Sequence, residues 1–131
     1  MGIPGLNTVL TRATLEDVKK VLSLEEFQHL EGCRWLAYKF QNFLILFVGS
    51  EDFQRWEAHW FGQGSAFKAL TACQESLKIF FKETGVKSVI GITPCLNKTG
   101  LKMAKVLGFK PLGFMLNWKK EVCLVSVKEN Q

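Results

Sequence analysis

The hydrophobic pattern of this chain switches repeatedly between the spacing of strands and the spacing of helices. Apolar residues that alternate with polar ones, or that run without interruption, indicate strands, whereas apolar residues three or four apart indicate helices. We predict strands at residues 7–11, 33–40, 43–48, 56–60, 86–93, 109–116 and 122–127, and helices at 15–22, 24–30, 67–84 and 98–107. The predicted element order is therefore β-α-α-β-β-β-α-β-α-β-β.

Capping signals mark the ends of several predicted helices. Thr14 followed by Asp17, and Ser23 followed by Glu26, have the spacing of capping boxes. Gly85 ends the long helix, because glycine readily takes the left-handed conformation found there. The core-facing stripe of that helix is predicted to consist of Ala66, Leu70, Cys73, Leu77 and Phe80.

The connections between the predicted elements indicate the fold class. A long helix between strands 56–60 and 86–93 calls for a parallel right-handed crossover, while the short connections before it call for antiparallel pairing. We therefore expect an α+β fold, with a mixed, mostly antiparallel central sheet of six to seven strands and helices on both faces. Since the chain has no internal repeat, linker or low-complexity tract, residues 1–131 are interpreted as one domain. Ligands of such sheets bind where neighbouring strands diverge at their carboxyl ends.

Composition and charge narrow the class of protein. The 131 residues are 47% hydrophobic and 22% charged, as in soluble globular proteins. The longest apolar run, residues 43–49, is far shorter than the ~20 residues of a membrane-spanning helix, and no leader pattern opens the sequence, so we expect a cytoplasmic protein without membrane contact. The formal net charge of +5 suits an anionic partner, either nucleic acid or a polyphosphate cofactor. Because the lysines are spread along the chain, nucleic acid is the less favoured of the two.

Four scattered cysteines form no C-x-x-C pair: Cys33, Cys73, Cys95 and Cys123. This spacing favours small apolar residues of a reducing compartment over zinc ligands or disulfides, so no metal is expected.

A glycine-rich turn lies between the strand at 56–60 and the long helix. It reads Gly62-Gln63-Gly64-Ser65-Ala66, with no bulky side chain to cover the backbone. Its N–H groups can point outward, and the helix N-terminus adds partial positive charge, which together favour phosphate binding. The alternative is a turn that only connects two elements.

Together with later residues, this turn resembles a known family. Gly62 to Ala66, a helix, Gly91-Ile92-Thr93-Pro94, then Asn97 and, eleven residues later, Gly108-Phe109 are similar in spacing to the GCN5-related N-acetyltransferases, especially short bacteriophage and prophage versions. The resemblance covers residues 56–114 by motif and residues 7–48 by element order alone. It implies that fold, acetyl-CoA as the cofactor, and transfer of an acetyl group to a primary amine of a small molecule or a protein lysine.

The resemblance also implies roles for individual residues. The backbone N–H groups of the turn would bind the coenzyme A pyrophosphate, the cofactor-binding residues there being Phe61, Gly62, Gln63, Gly64, Ser65 and Ala66. Ile92 and Thr93, followed by Pro94, would flank the thioester. Asn97 would contact the pantetheine arm, and its alternative role is the N-cap of the following helix.

Two positions depart from the family pattern. Phe61 stands where the family usually has Arg or Gln, so one phosphate contact would be missing or would be made by another group, such as Lys68 or Gln63. Ala104 stands where a tyrosine often serves as general acid, and the single tyrosine of the chain is Tyr38. These departures leave a second hypothesis open, a catalytically degenerate protein of the same fold that serves a phage as a structural or head-assembly component.

Acetyl transfer requires a base for the amine, and Glu57 and His59 are the candidates. They project from one side of the strand that ends at the glycine turn, and an imidazole ordinarily titrates at about pH 6.5. The alternative is that both lie on a solvated strand face, while His29 is interpreted as a surface residue. The acceptor would be an unknown amine, with a homodimer or virion association as further expectations for a protein of a bacterial host cytoplasm.

Overall fold

The computed structural model describes residues 10–49 and 55–130. Its strands are β1 (Thr11–Arg12), β2 (Arg34–Phe40), β3 (Phe43–Gly49), β4 (Trp56–Gly62), β5 (Ser88–Pro94), β6 (Lys110–Leu116) and β7 (Val122–Glu129). Its helices are α1 (Leu15–Val21), α2 (Leu24–Leu30), α3 (Ala66–Thr84) and α4 (Lys98–Val106). The element order is the one predicted from the sequence.

All seven described strands belong to one sheet, in the order β1-β2-β3-β4-β5-β7-β6. Neighbours pair antiparallel except β4 and β5, which are parallel. Helix α3 makes the crossover between those two strands, because parallel neighbours need a long connection. The predicted mixed, mostly antiparallel sheet is confirmed.

Helices cover both faces of the sheet, so that two hydrophobic cores form. On one face α3 packs on β2 to β4, where the rings of Phe47 and Phe80 stack with centroids 4.1 Å apart. On the other face Val18 of α1 and Leu30 of α2 pack against residues of β3 that include Leu46. This second core places α2 directly over the β3–β4 region that carries the site described below.

Local signals account for the helix ends. Both capping boxes are confirmed: the Asp17 N–H donates to Thr14 Oγ1 at 3.3 Å, and the Glu26 N–H donates to Ser23 Oγ at 3.1 Å. Gly85 ends α3 with φ 69°, in the left-handed region that glycine adopts without strain. No described helix has the length and apolar composition needed to cross a bilayer.

Several predicted boundaries were wrong. The strand predicted at residues 7–11 falls largely outside the described residues. Within them, β1 begins at Thr11. Strand β4 continues through Gly62, which pairs with Phe43, so the turn consists of residues 63–65 alone. Pro94 does not break β5 but is its last residue.

The buried stripe of α3 also differs from the predicted one. Ala66 is exposed and Leu70 is half-buried, because Ala66 begins the helix at its free end. The core face instead comprises Ala69, Ala72, Cys73, Ser76, Leu77, Phe80 and Phe81. Cys73 and Cys123 are buried, as expected of small apolar residues, and burial raises the pKa of the Cys73 thiol to about 12.

Candidate active site

Strands β4 and β5 pair briefly and then diverge. Their ladder contains two pairs, Glu57 with Ile90 and Ala58 with Gly91, although each strand is seven residues long. The carboxyl ends of both strands therefore border an open gap in the sheet. Such a gap lets a ligand pass between strands without displacing a hydrogen-bonded ladder.

A groove of about 540 Å³ lies beside this gap on the α3 face of the sheet. Its walls come from the glycine turn, the start of α3, and α4. It is lined by Phe43, Ile45, Trp60, Phe61, Gly62, Gln63, Gly64, Ala66, Ala69, Cys73, Asn97, Thr99, Gly100 and Met103. We call it the donor groove.

The glycine turn is shaped by its contact with the start of β3. Gly62 and Gly64 have φ values of 144° and 152°, which side-chain-bearing residues rarely adopt. A Cβ on Gly62 would lie 2.5 Å from the carbonyl oxygen of Asn42, and one on Gly64 would lie 3.0 Å from the ring of Phe43. Both glycines are thus required by the close approach of the turn to this neighbouring strand.

The turn borders the donor groove, with Gln63 and Gly64 among the lining residues. Within the described part of the chain, the N–H groups of Gln63, Gly64 and Ser65 donate to no protein acceptor. The Ser65 side chain caps α3 by accepting from the Lys68 N–H at 3.1 Å, while the N–H groups of the first helical residues lack intrahelical acceptors. Backbone N–H groups at the start of a helix are a common type of anion-binding group, so the predicted phosphate site remains compatible with this geometry.

Asn97 lies where the donor groove meets the gap. Its Oδ1 accepts the Gly100 N–H at 3.0 Å, so its role as the N-cap of α4 is confirmed. Asn97 also lines the cavities on both sides of the gap. The cap fixes the side chain in place, which leaves its Nδ2 group for a ligand.

A second cavity, of about 500 Å³, opens on the opposite face of the sheet, and we call it the acceptor cavity. It is lined by residues of β4, β5 and β7 and by the β6–β7 turn, among them Glu57, His59, Ile92 and Thr93. The two cavities share Trp60, Phe61 and Asn97. All the predicted site residues except Ser65 therefore line one or both of these cavities.

Glu57 and His59 lie next to each other on the acceptor side of β4. The distance from His59 Nε2 to Glu57 Oε1 is 3.6 Å, and about a third of each side chain is exposed. The contact with His59 is the main reason that the pKa of Glu57 lies below its ordinary value; partial burial opposes it, and Arg55 adds a smaller attraction. Glu57 is thus held as a carboxylate beside the imidazole of His59.

Two residues of this site were missed from the sequence: Glu26 and Trp118 both line the acceptor cavity. Glu26 was recognised as a capping residue alone, and the signal that it faces the site is the packing of α2 over β4, which the sequence does not contain. His29 is exposed, as predicted, but its ring lies 5.3 Å from that of Trp118.

The departures from the family pattern have structural correlates. Phe61 is half-buried and packs against the core on the α2 side of the sheet. Ala104 is buried in the other core. The Tyr38 hydroxyl donates to Glu83 at 2.6 Å and lines neither the donor groove nor the acceptor cavity.

Comparisons with known proteins identify the fold. No family model and no curated protein sequence matches the chain. Among solved structures, a spermidine N-acetyltransferase chimera built partly from the Vibrio cholerae protein has a TM-score of 0.69 at 14% identity, covering 92% of this chain and 96% of its own. An aminoglycoside acetyltransferase in complex with coenzyme A also has a TM-score of 0.69, at 9% identity, covering 93% of this chain and 94% of its own.

RimJ from Mycobacterium smegmatis, in complex with a coenzyme A disulfide, has a TM-score of 0.68 at 11% identity, covering 92% of this chain and 80% of its own. At such identities the likeness concerns the fold. The chain therefore has the fold of the GCN5-related N-acetyltransferases.

Proposed function

We propose that this protein is an acetyl-CoA-dependent N-acetyltransferase that acts on a primary amine. The observation that carries the proposal is the gap between β4 and β5, which has the groove of the glycine turn on one side and a cavity with a carboxylate–histidine pair on the other, with three lining residues in common. Solved structures of the same fold contain coenzyme A or acetyl-CoA. A thioester in the gap would thus face an amine on the other side of the sheet.

The residues of the donor groove fit the phosphates of coenzyme A. The N–H groups of Gln63, Gly64 and Ser65 would hold the pyrophosphate, and Lys68 in the first turn of α3 would supply positive charge. A side chain on Gly62 or Gly64 would meet Asn42 or Phe43 and displace these donors. Asn97, Ile92 and Thr93 would position the arm that carries the thioester.

The acceptor cavity supplies the proton chemistry. In the reaction the amine nitrogen bonds to the acetyl carbon, the C–S bond breaks with its electron pair on sulfur, and the proton lost from nitrogen balances the charge of the thiolate. His59 would accept the amine proton, and Glu57 would orient and stabilise the protonated imidazole. Water in the gap between β4 and β5 would protonate the leaving sulfur, because Ala104 and Phe61 carry no acidic group.

A second candidate is a protein of this fold that has lost catalysis, for example a phage structural or head-assembly component. The observation that favours it is the placement of Phe61 and Ala104 in the two cores, which removes a phosphate contact and a general acid used in the family. Such a protein would bind acetyl-CoA weakly or not at all and would acetylate no amine.

Titration calorimetry with acetyl-CoA tests the proposal. We expect the wild-type protein to bind at ligand concentrations up to about 1 mM, and Gly64→Glu to lower the affinity at least about tenfold by displacing the turn from Phe43. Gly32→Glu is the matched control, since Gly32 also has a positive φ, of 84°, but meets nothing within 4 Å. Absence of wild-type binding, or equal binding by Gly64→Glu, would overturn the proposal.

A further inference from the structure

A small recess of about 350 Å³ lies beneath α2, next to the Glu57–His59 pair. Resting on the proposed function, we propose that this recess binds the hydrocarbon part of the acceptor, so that the substrates are primary amines carried on an apolar chain or ring. Its volume is at the lower end for ligand pockets, which suits a small molecule.

The recess is apolar at its inner end. Side chains of α1, α2, β3 and β4 form it, and the apolar lining residues are Leu22, Leu30, Cys33, Leu46, Val48 and Phe61. Val48 pairs directly with Glu57 across the β3–β4 ladder, so its side chain lies on the same face as that carboxylate. A hydrocarbon group bound here would therefore hold an attached amine close to Glu57 and His59.

The polar groups of the recess favour a cation. Its carboxylates are Glu26 and Glu57. Both also line the acceptor cavity, as do His59, Phe61 and Trp118. Neither lysine nor arginine is among its lining residues, all of which the structure describes. The two carboxylates would attract a protonated amine before it gives up its proton.

Glu26 is held rigidly in this arrangement. Its Oε1 accepts the Ser23 N–H at 2.9 Å as part of the capping box of α2. That hydrogen bond is the main reason that the pKa of Glu26 lies below its ordinary value, with partial burial opposing it and smaller contributions from Ser23 Oγ, Lys119 and His59. Glu26 is thus a fixed negative charge, with its second oxygen available to an ammonium group.

The same chemistry disfavours polyamines and sugars. A second ammonium group or several hydroxyls placed among Leu22, Leu46 and Val48 would lose hydration without gaining partners, which costs binding free energy. We therefore infer that the acceptor specificity differs from that of the spermidine and aminoglycoside acetyltransferases that share the fold.

Steady-state kinetics with an amine panel test this inference. We expect kcat/KM for 2-phenylethylamine and hexylamine to exceed that for spermidine and ethanolamine at least about tenfold. Val48→Phe fills the recess and should lower kcat/KM for 2-phenylethylamine about tenfold or more while sparing ethanolamine. Val127→Phe is the matched control, because Val127 is also half-buried in a strand but lines neither the recess nor the acceptor cavity.

Leu22→Gln is a second variant that tests the recess if Val48→Phe does not fold. This change keeps the size of a half-buried side chain at the end of α1 but makes the recess polar, so it should also lower the preference for hexylamine. Preference for spermidine or for a peptide N-terminus, or equal losses for every amine, would overturn the inference.

Direct binding separates this inference from the proposed function. Calorimetry with 2-phenylethylamine alone should show binding that Val48→Phe weakens and Val127→Phe retains. If the amine binds in this way but acetyl-CoA does not bind, the proposed function is wrong and the assignment of the recess as an amine site is retained. If acetyl-CoA binds but the amine does not, the recess assignment fails and the proposed function stands.

Discussion

At the residue scale, Glu57 and His59 are expected to have different roles in proton transfer. Contact with the imidazole holds the pKa of Glu57 below its ordinary value, so this carboxylate is a weaker base than an ordinary one. Glu57 stays ionised at the pH values where a histidine titrates. We therefore propose that His59 is the base and that Glu57 positions it.

This assignment predicts the behaviour of His59→Gln. The variant should lower kcat about 10²–10³-fold, because a positioned base contributes on that order. The wild-type kcat/KM should fall at acidic pH as the base becomes protonated, whereas the variant should lack that acid limb. Calorimetric affinity for acetyl-CoA should be unchanged, since His59 does not line the donor groove. A variant that keeps the acid limb would show that another group is the base.

Individual residues also show what sequence reasoning can reach. Caps such as Thr14 and Asn97 accept a hydrogen bond from the backbone N–H three residues later, so local spacing predicts them well. Pro94 was misjudged because its environment is set by distant strands. The Cys95 N–H donates to the carbonyl oxygen of Val122 in β7. Because successive backbone nitrogens of a strand point to opposite sides, the nitrogen of Pro94 points away from β7, towards the gap. Proline has no N–H to donate, and no ladder hydrogen bond is needed on that side.

At the element scale, Tyr38 joins β2 to the end of α3. Its hydroxyl donates to Glu83 at 2.6 Å, and Arg12 of β1 lies 3.6 Å from the same carboxylate. Burial, followed by the hydrogen bond and the charge of Glu83, raises the pKa of Tyr38 well above its ordinary value. Three elements are thus connected through one buried phenol.

Alkaline unfolding should depend on this phenol. Above pH ~10 the unfolded state loses the Tyr38 proton while the folded state keeps it, so stability falls as the pH rises from there towards the folded pKa. We expect Tyr38→Phe to destabilise the protein by about 1–3 kcal/mol at pH 7 through the lost hydrogen bond, and to reduce the alkaline loss. Urea unfolding at pH 7 and pH 10.5 measures both, and an unchanged pH dependence would contradict the prediction.

The order of elements was predictable because each carries its own periodicity and its own end signals. The placement of α2 over β4 could not be predicted, because it depends on packing between Leu30 of α2 and residues of β3 and not on any local pattern. For that reason the glycine turn and Glu57 were found in the sequence, whereas Glu26 was assigned a capping role alone. The role of Phe43 beneath Gly64 was likewise invisible, because it is a contact between distant segments.

At the scale of the whole molecule, the net charge of +5 favours an anionic ligand. We expect acetyl-CoA affinity to fall about threefold to tenfold as the salt concentration rises from about 50 to 500 mM, because the Debye length shortens over that range. Lys68→Gln should weaken binding and reduce this salt dependence. Lys87→Gln is the control, since about 24 Å of α3 lies between Lys68 and the end of the helix at Thr84, and Lys87 follows that end. An affinity independent of salt would argue against phosphate binding at the turn.

Strands β4 and β5 are joined by two residue pairs, so few ladder hydrogen bonds connect the two parts of the sheet. One half comprises β1 to β4 and the other comprises β5, β7 and β6. Small rotations of one half against the other would widen or narrow the donor groove and the acceptor cavity together. A ligand bound across the gap would connect the two halves and restrict their rotation. Binding in the donor groove would then fix the shape of the acceptor cavity and favour an ordered sequence of substrate binding.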